Sequence, residues 1–247
     1  TKKGRIGLVS VTSSFQPWER AGEARSDLQG KPGINGLRYQ TTYLVDQGSA
    51  DTLKNIFTKM RQKIKETEKG FDVDLGHVMR FVISKTPGVL MTANEHDIQA
   101  NLRSIRDAKR QADWALVSFH THQAEGLDHG TSEQKPAEFN VEFAHKSIDA
   151  GADMVIGHGP HVLRGIEVYR DKPIFYSLGN FIMNNETIPR LPYDLYEKFG
   201  LGWDATPADL FDARLGRLPP LDPAWWESVV AVGKLTGGKL SSLKLYP

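Results

Sequence analysis

The sequence predicts an α/β protein, and two observations carry that expectation. Short β-like runs alternate along the chain with segments whose apolar residues recur at helical spacing. The 247 residues also suffice for a sizeable core, arranged as one large domain or two small ones.

Taken in order, the run at 5–11 (Arg-Ile-Gly-Leu-Val-Ser-Val) reads as a buried strand. Residues 13–42 are rich in Gly, Pro and charge and read as a long loop, a length that tends to go with function or mobility. Leu53, Ile56, Phe57, Met60 and Ile64 fall on one helix face, with Ser49 or Asp51 as cap and Gly70 as stop. A strand follows at 78–84. Asn94-Glu95-His96-Asp97 then reads as a polar helix start, and Ile98, Leu102, Ile105 and Ala108 mark the inward face. The strand at 114–119 runs straight into His120. Pro136 opens a helix with Phe139, Phe143, Ala144 and Ile148 inward, ending at Gly151. A short strand at 154–156 runs into Gly157-His158-Gly159-Pro160-His161. Strands at 165–170 and 173–178 follow. Residues 190–224 lack a clear period and read as an insertion, a candidate lid, within a single domain spanning 1–247. The chain closes with a hairpin of 225–235 and 240–246 turning at 236–239.

Composition removes several function classes. Lys plus Arg is 31 and Asp plus Glu is 30, so bulk charge gives no footing for nucleic acid or an anionic membrane. There is no cysteine, which excludes disulfides, thiolate metal sites, iron–sulfur clusters and cysteine nucleophiles. No apolar run approaches the ~20 residues of a membrane span, so membrane insertion by this segment is not expected, and no signal peptide is visible. G-x-S-x-G, Walker and G-x-G-x-x-G motifs are missing, which weakens serine hydrolase, NTPase and dinucleotide-binding readings.

Four of the eight histidines stand directly after predicted strand ends: His120 and His122, then His158 and His161. In an open α/β sheet the carboxyl ends of the strands are where ligands bind. Imidazole is the commonest protein metal ligand, and three can hold a divalent ion with a position left open. Gly157 and Gly159 permit a sharp turn there, and Pro160 stiffens it. His120, His158 and His161 are therefore expected metal ligands. His122 is either a further ligand or a group behind the ligands that moves a proton. Asn180, after another strand end, either orients a ligand or substrate or serves as a turn residue. Arg20, Arg25, Lys31 and Arg38 either meet an anionic substrate or are solvated loop charges. His145 reads as a packing or helix-surface group, Glu142 and Asp149 as solvated, and His77, His96 and His129 have no partner signal.

Two longer stretches carry a family likeness. Residues 151–161 (Gly-Ala-Asp-Met-Val-Ile-Gly-His-Gly-Pro-His) and 172–182 (Lys-Pro-Ile-Phe-Tyr-Ser-Leu-Gly-Asn-Phe-Ile) resemble signatures of the CapA family of bacterial capsule-synthesis and poly-γ-glutamate proteins. The strand ending in His120, the run at 4–10 and Pro32-Gly33-Ile34-Asn35 are similar to other parts of it, so the resemblance spans nearly the whole chain. It implies a calcineurin-like metallophosphatase fold, a β-sandwich flanked by helices with metal at strand ends. His120 matches the family's single-His motif, and His158 and His161 its final Gly-His…His motif, though three apart rather than two. The family's opening Gly-Asp, Asn-Leu-Glu and Asn-Asn-His motifs do not occur.

About half of the implied metal shell, including its carboxylates, is therefore missing from this chain. The chain begins at Thr1 and is expected to be the C-terminal portion of a longer protein, whose missing N-terminal segment a separate chain could supply. The resemblance implies one divalent ion (Mn, Zn, Fe or Mg), or two in the complete protein, and an anionic polymer or peptide as partner. It also implies a setting at the cell envelope. Three activities stay open: hydrolysis of a polyglutamate or peptide amide or of a phosphoester, binding of polymer as a capsule-assembly accessory, and metal-dependent peptide epimerisation.

Overall fold

Strands pair in two five-stranded sheets in the computed structural model, which describes residues 4–126, 133–182, 187–216, 223–236 and 239–247. In chain order the elements are β1 Ile6–Thr12, β2 Tyr39–Val45, α1 Gln47–Lys59, β3 Ile64–Thr67, β4 Gly70–Asp74, β5 Val78–Ile83 and β6 Gly88–Ala93. Then come α2 Glu95–Gln111, β7 Trp114–His120, α3 Glu138–Asp149, β8 Met154–His158, β9 Ile166–Tyr169 and β10 Lys172–Phe175. The last are α4 Tyr193–Phe199, α5 Pro207–Gly216, a 3-10 turn Pro223–Trp226, β11 Val230–Thr236 and β12 Lys239–Tyr246. The predicted α/β class is what the chain adopts.

The first sheet has the order β1-β7-β8-β10-β9, parallel except for β9. The crossovers from β1 to β7 and from β7 to β8 run through helices α2 and α3, while β8 reaches its parallel partner β10 by way of β9. One face carries the main core: Val11, Val117, Phe119, Val155 and Ile174 meet Ile105 of α2 and Phe143 of α3. Phe119 and Phe143 pack edge to face at 5.1 Å. Alternation along β7 is strict, with Ala115, Val117 and Phe119 buried and their neighbours not.

The second sheet has the order β3-β4-β5-β2-β6 and a separate small core, in which Phe57 of α1 packs on Phe71 and Phe81. Much of it differs from the sequence expectation. The expected helix through Ile64 ends at Met60, because Arg61 takes φ 58° and Ile64 enters a β3–β4 hairpin opposite Val73. Its cap is Asp46, whose carboxylate accepts from the Ser49 amide at 2.9 Å, in place of Ser49 or Asp51. The long loop gives way at Tyr39 to β2, which pairs with both β5 and β6. β2 is half-buried along its whole length, so it has no alternation to read.

Other boundaries moved for local reasons. Asn94 caps α2 as expected, its side chain accepting from the Asp97 amide at 3.1 Å. Pro136 sits before α3, bridged to Ala124. The 190–224 stretch contains α4 and α5, with Gly200 closing α4 at φ 70°. The 225–235 strand starts only at Val230, because Trp225 lies in the 3-10 turn. The hairpin β11–β12 forms in the expected register region; the Gly237-Gly238 part of its turn lies outside the described residues. The strand at 5–11 was expected to be buried. Only Val11 is fully so, whereas Ile6 and Leu8 point from the opposite face and are 64% and 62% exposed.

Candidate functional site

Parallel pairing brings the histidines together. β1, β7 and β8 run in register, so Thr12 lies beside His120 and His120 beside His158 at adjacent carboxyl ends. Both imidazoles project from the face opposite the core. Their Nδ1 atoms are 3.2 Å apart. One pleat back on that face, the Ser118 hydroxyl is 2.9 Å from His158 Nε2. Gly159 permits the close approach that follows: at φ 126° a Cβ there would lie 2.8 Å from the Thr121 carbonyl oxygen.

His122 and His161 extend the cluster. The His120 and His122 rings lie 5.0 Å apart, centre to centre, and those of His122 and His161 5.9 Å. His161 takes φ 64°, uncommon for a residue with a Cβ and a mark of a backbone held by its surroundings. Its Nδ1 meets Asn180 Oδ1 at 2.8 Å. Trp225 stacks on its ring at 5.1 Å.

The four predicted histidines and Asn180 therefore occupy one site, but not as a three-histidine cage. His120 and His158 form a close pair, while His161 turns toward Asn180 beside His122. Among the described residues no group of three or more His, Cys, Asp or Glu side chains is disposed around one point. The pair itself suits a metal. Two nitrogens bound at ~2.0–2.1 Å to a tetrahedral Zn²⁺ would be separated by about the distance seen here. Burial lowers the pKa of His120, helped by the charge of His161. Packing around the His158 ring lowers its pKa likewise, helped by His120. Both effects keep the rings neutral, the state in which imidazole offers a lone pair.

A buried polar network that sequence reasoning missed holds the loop of His122. The Ser13 hydroxyl donates to Gln123 Oε1 at 2.5 Å, and the Thr121 hydroxyl donates to it at 3.0 Å. Gln123 Nε2 donates to the Tyr39 hydroxyl at 3.0 Å. The Gln123 carbonyl accepts from Asn140 Nδ2 at 3.1 Å and from Arg164 Nη1 at 2.9 Å. Arg164 is 4% exposed, and burial draws its guanidinium down to about 10. Scattered Ser, Thr, Gln and Asn have no spacing that announces such a network. Beside it a cleft of about 430 Å³, lined in part by Ser13, Arg38, Tyr39 and His77, opens toward the second sheet.

The remaining candidates serve structure. Arg38 forms a two-pronged pair with buried Asp97 at 2.7 Å, with Arg20 3.6 Å away. Arg25 pairs with Asp27, and Lys31 donates to the Trp18 carbonyl. His145 meets Glu167 at 2.9 Å and stacks on Tyr169, a packing role as expected. Glu142 and Asp149 pair with Lys146 and Arg170. His129 lies outside the described residues.

The comparisons with known proteins identify the family. Residues 1–185 match the family model described as bacterial capsule synthesis protein PGA_cap. An uncharacterized protein y4sH of Sinorhizobium fredii is 34% identical over the whole of this chain and 54% of its own length. The PGA biosynthesis protein CapA of Bacillus subtilis is 37% identical over 52% of this chain and 32% of its own. A probable polyglutamine synthesis accessory protein of Mycobacterium tuberculosis is 45% identical over 32% of this chain and 19% of its own. The chain spans about half the length of the relative that matches it throughout. No helix among the described residues is long and apolar enough to cross a membrane. With histidines at strand ends inside the matched stretch, the chain belongs to the bacterial capsule synthesis protein PGA_cap family.

Proposed function

We propose that this chain is the histidine-bearing part of a metal-dependent hydrolase of capsule or poly-γ-glutamate metabolism, working at the cell envelope. Its substrate would be a polyglutamate or peptide amide, or a phosphoester. The observation that carries this reading is the His120–His158 pair, with two nitrogens 3.2 Å apart at adjacent parallel strand ends. His120 and His158 would hold a divalent ion (Mn, Zn, Fe or Mg) through their Nδ1 atoms, with His161 completing the histidine side. Such an ion polarises a carbonyl or phosphoryl oxygen and makes a bound water acidic. His122, whose ring neighbours those of both His120 and His161, would give a proton to a leaving group. Asn180 orients His161. The whole of 1–247 acts as one domain, with 190–224 as an insertion.

The remaining ligands, carboxylates by the family resemblance, would come from polypeptide outside this chain. The surface favours that arrangement. Ile6 and Leu8 lie on the same sheet face as the histidine pair and are largely exposed, and β1 is one of the two edge strands of its sheet among the described residues. A second layer packed there would bury them and meet the histidines at its rim.

A second reading rests on the two-ligand geometry. Without a third ligand around the pair, the chain would serve as a polymer-binding accessory; the mycobacterial relative is named a probable polyglutamine synthesis accessory protein. Metal analysis of the purified chain and of His158→Ala separates the two. Near-stoichiometric metal in the parent, lost in the variant, is the expected result. Metal in neither, with poly-γ-glutamate retained in the presence of chelator, would replace the hydrolase with the accessory. Deuterium uptake from solvent by a peptide substrate without cleavage would replace hydrolysis with epimerisation at the same ligands.

A further inference from the structure

His161, Asn180 and the segment after α5 form a unit whose hydrogen bonds allow one arrangement. The Asn180 side-chain amide donates to the His161 carbonyl at 3.1 Å and to the Trp225 carbonyl at 3.2 Å. Both partners only accept, so turning the amide over would set its oxygen against two carbonyl oxygens. Asn180 Oδ1 must then face His161 Nδ1, and an amide oxygen also only accepts. The proton of this contact therefore sits on His161 Nδ1, and in the neutral ring the lone pair is left on Nε2.

The segment that supplies Trp225 is fastened to the site at other points. Gly179 bridges to Ser228, and the Val229 amide donates to the Leu178 carbonyl at 3.2 Å. At Gly179, with φ 79°, a Cβ would lie 2.4 Å from the Glu227 carbonyl oxygen, so only glycine allows this approach. Trp225 covers one face of the His161 ring with the planes 20° apart. Each of these contacts joins a residue inside the family match, which ends at 185, to one in the 225–229 segment beyond it.

The geometry points to Asn180 and Trp225 as positioning residues that fix His161 in its Nδ1–H tautomer and hold Nε2 in the site as an electron-pair donor. The further step, that Nε2 ligates the ion, rests on the hydrolase reading; the tautomer does not. The two therefore fail separately.

The test is nitrogen NMR of the full chain with ¹⁵N-labelled histidine, metal-stripped, at a pH above histidine titration. His161 is assigned by the signals lost in His161→Gln. The parent should show a protonated Nδ1 and an unprotonated Nε2. Asn180→Leu should move the proton to Nε2. Trp225→Phe, which keeps the stack and the backbone carbonyl, should leave the parent pattern, whereas Trp225→Gly should mix the two tautomers. A parent with the proton on Nε2 overturns the proposal without any variant, as does a parent pattern that survives Asn180→Leu. Adding Zn²⁺ to the parent then tests ligation alone. A shifted Nε2 signal supports it, and an unmoved one removes His161 from the ligands while the tautomer assignment stands.

Discussion

The two faces of the first sheet are made by alternate residues of the same strands, and they differ in almost every property. On one face Val117 and Phe119 are at most 2% exposed and packed against helices. On the other, Ile6 and Leu8 are open, and the series ends in His120 and His158. The first face provides the packing that stabilises the sheet, and the second carries the candidate site. A one-residue slip of β7 would exchange them, which is why the register is held so firmly by the packed side.

The largest test of that contrast is a pair of truncations. Phe119→Ala should cost about 3–5 kcal/mol in chemical denaturation, since it empties a filled site beside Phe143. Leu8→Ala, on the neighbouring strand but the other face, should cost less than about 0.5 kcal/mol in the same measurement. Equal losses would mean that the open face is covered in solution.

Asp97 belongs to the stabilising side although it is charged. Burial works against its ionised form, but hydrogen bonds from Arg38 and the charges of Arg38 and Arg20 outweigh burial and lower its pKa. Asp97→Asn should cost about 2 kcal/mol, the scale of hydrogen bonds to a charged group. Its contribution is present above the unfolded aspartate pKa and fades as pH falls through the lower folded value. The parent should therefore lose its advantage over the variant in acid.

The histidine face has a different pH signature. His120 and His158 are held below the ordinary histidine value of 6.5, so just under that pH the unfolded chain binds more protons than the folded one. Metal-free protein should thus lose stability as pH drops from about 7, levelling below the folded pKa values. His120→Gln should make thermal melting less sensitive over the same range. A variant curve as steep as the parent's would place the effect elsewhere.

The smallest expected change in stability is at the exposed edge. The double variant Ile6→Ser, Leu8→Ser should melt within a degree or two of the parent, a shift of about 0.5 kcal/mol or less, yet remain monomeric at higher concentration by light scattering. A marked loss of stability would show that these side chains are already buried against something.

Legibility divided along the same lines. The strands of the first sheet and their helices were readable because burial on one side leaves a period: two along β7, near 3.6 along α2. The second sheet was largely hidden. β2 is half-buried throughout, and the β3–β4 hairpin is short and charged, so neither leaves a pattern. At the site, the strand-end positions of His120 and His158 and the glycines around them were visible in the chain. The network of Ser13, Thr121, Gln123, Asn140 and Arg164 was not, because apart from Thr121 and Gln123 its members meet across 17 to 110 residues of chain.

By itself, then, the sequence determined the class of fold and the strand ends at which His120 and His158 stand. These depend on local spacing, which burial imprints on the order of residues. The tertiary structure alone decided which histidines face each other. Pairing in register put His120 against His158, and closure of the chain from Asn180 and Trp225 turned His161 aside. Such contacts join distant segments through strand register and hydrogen-bond direction, and neither is written in the spacing of neighbouring residues.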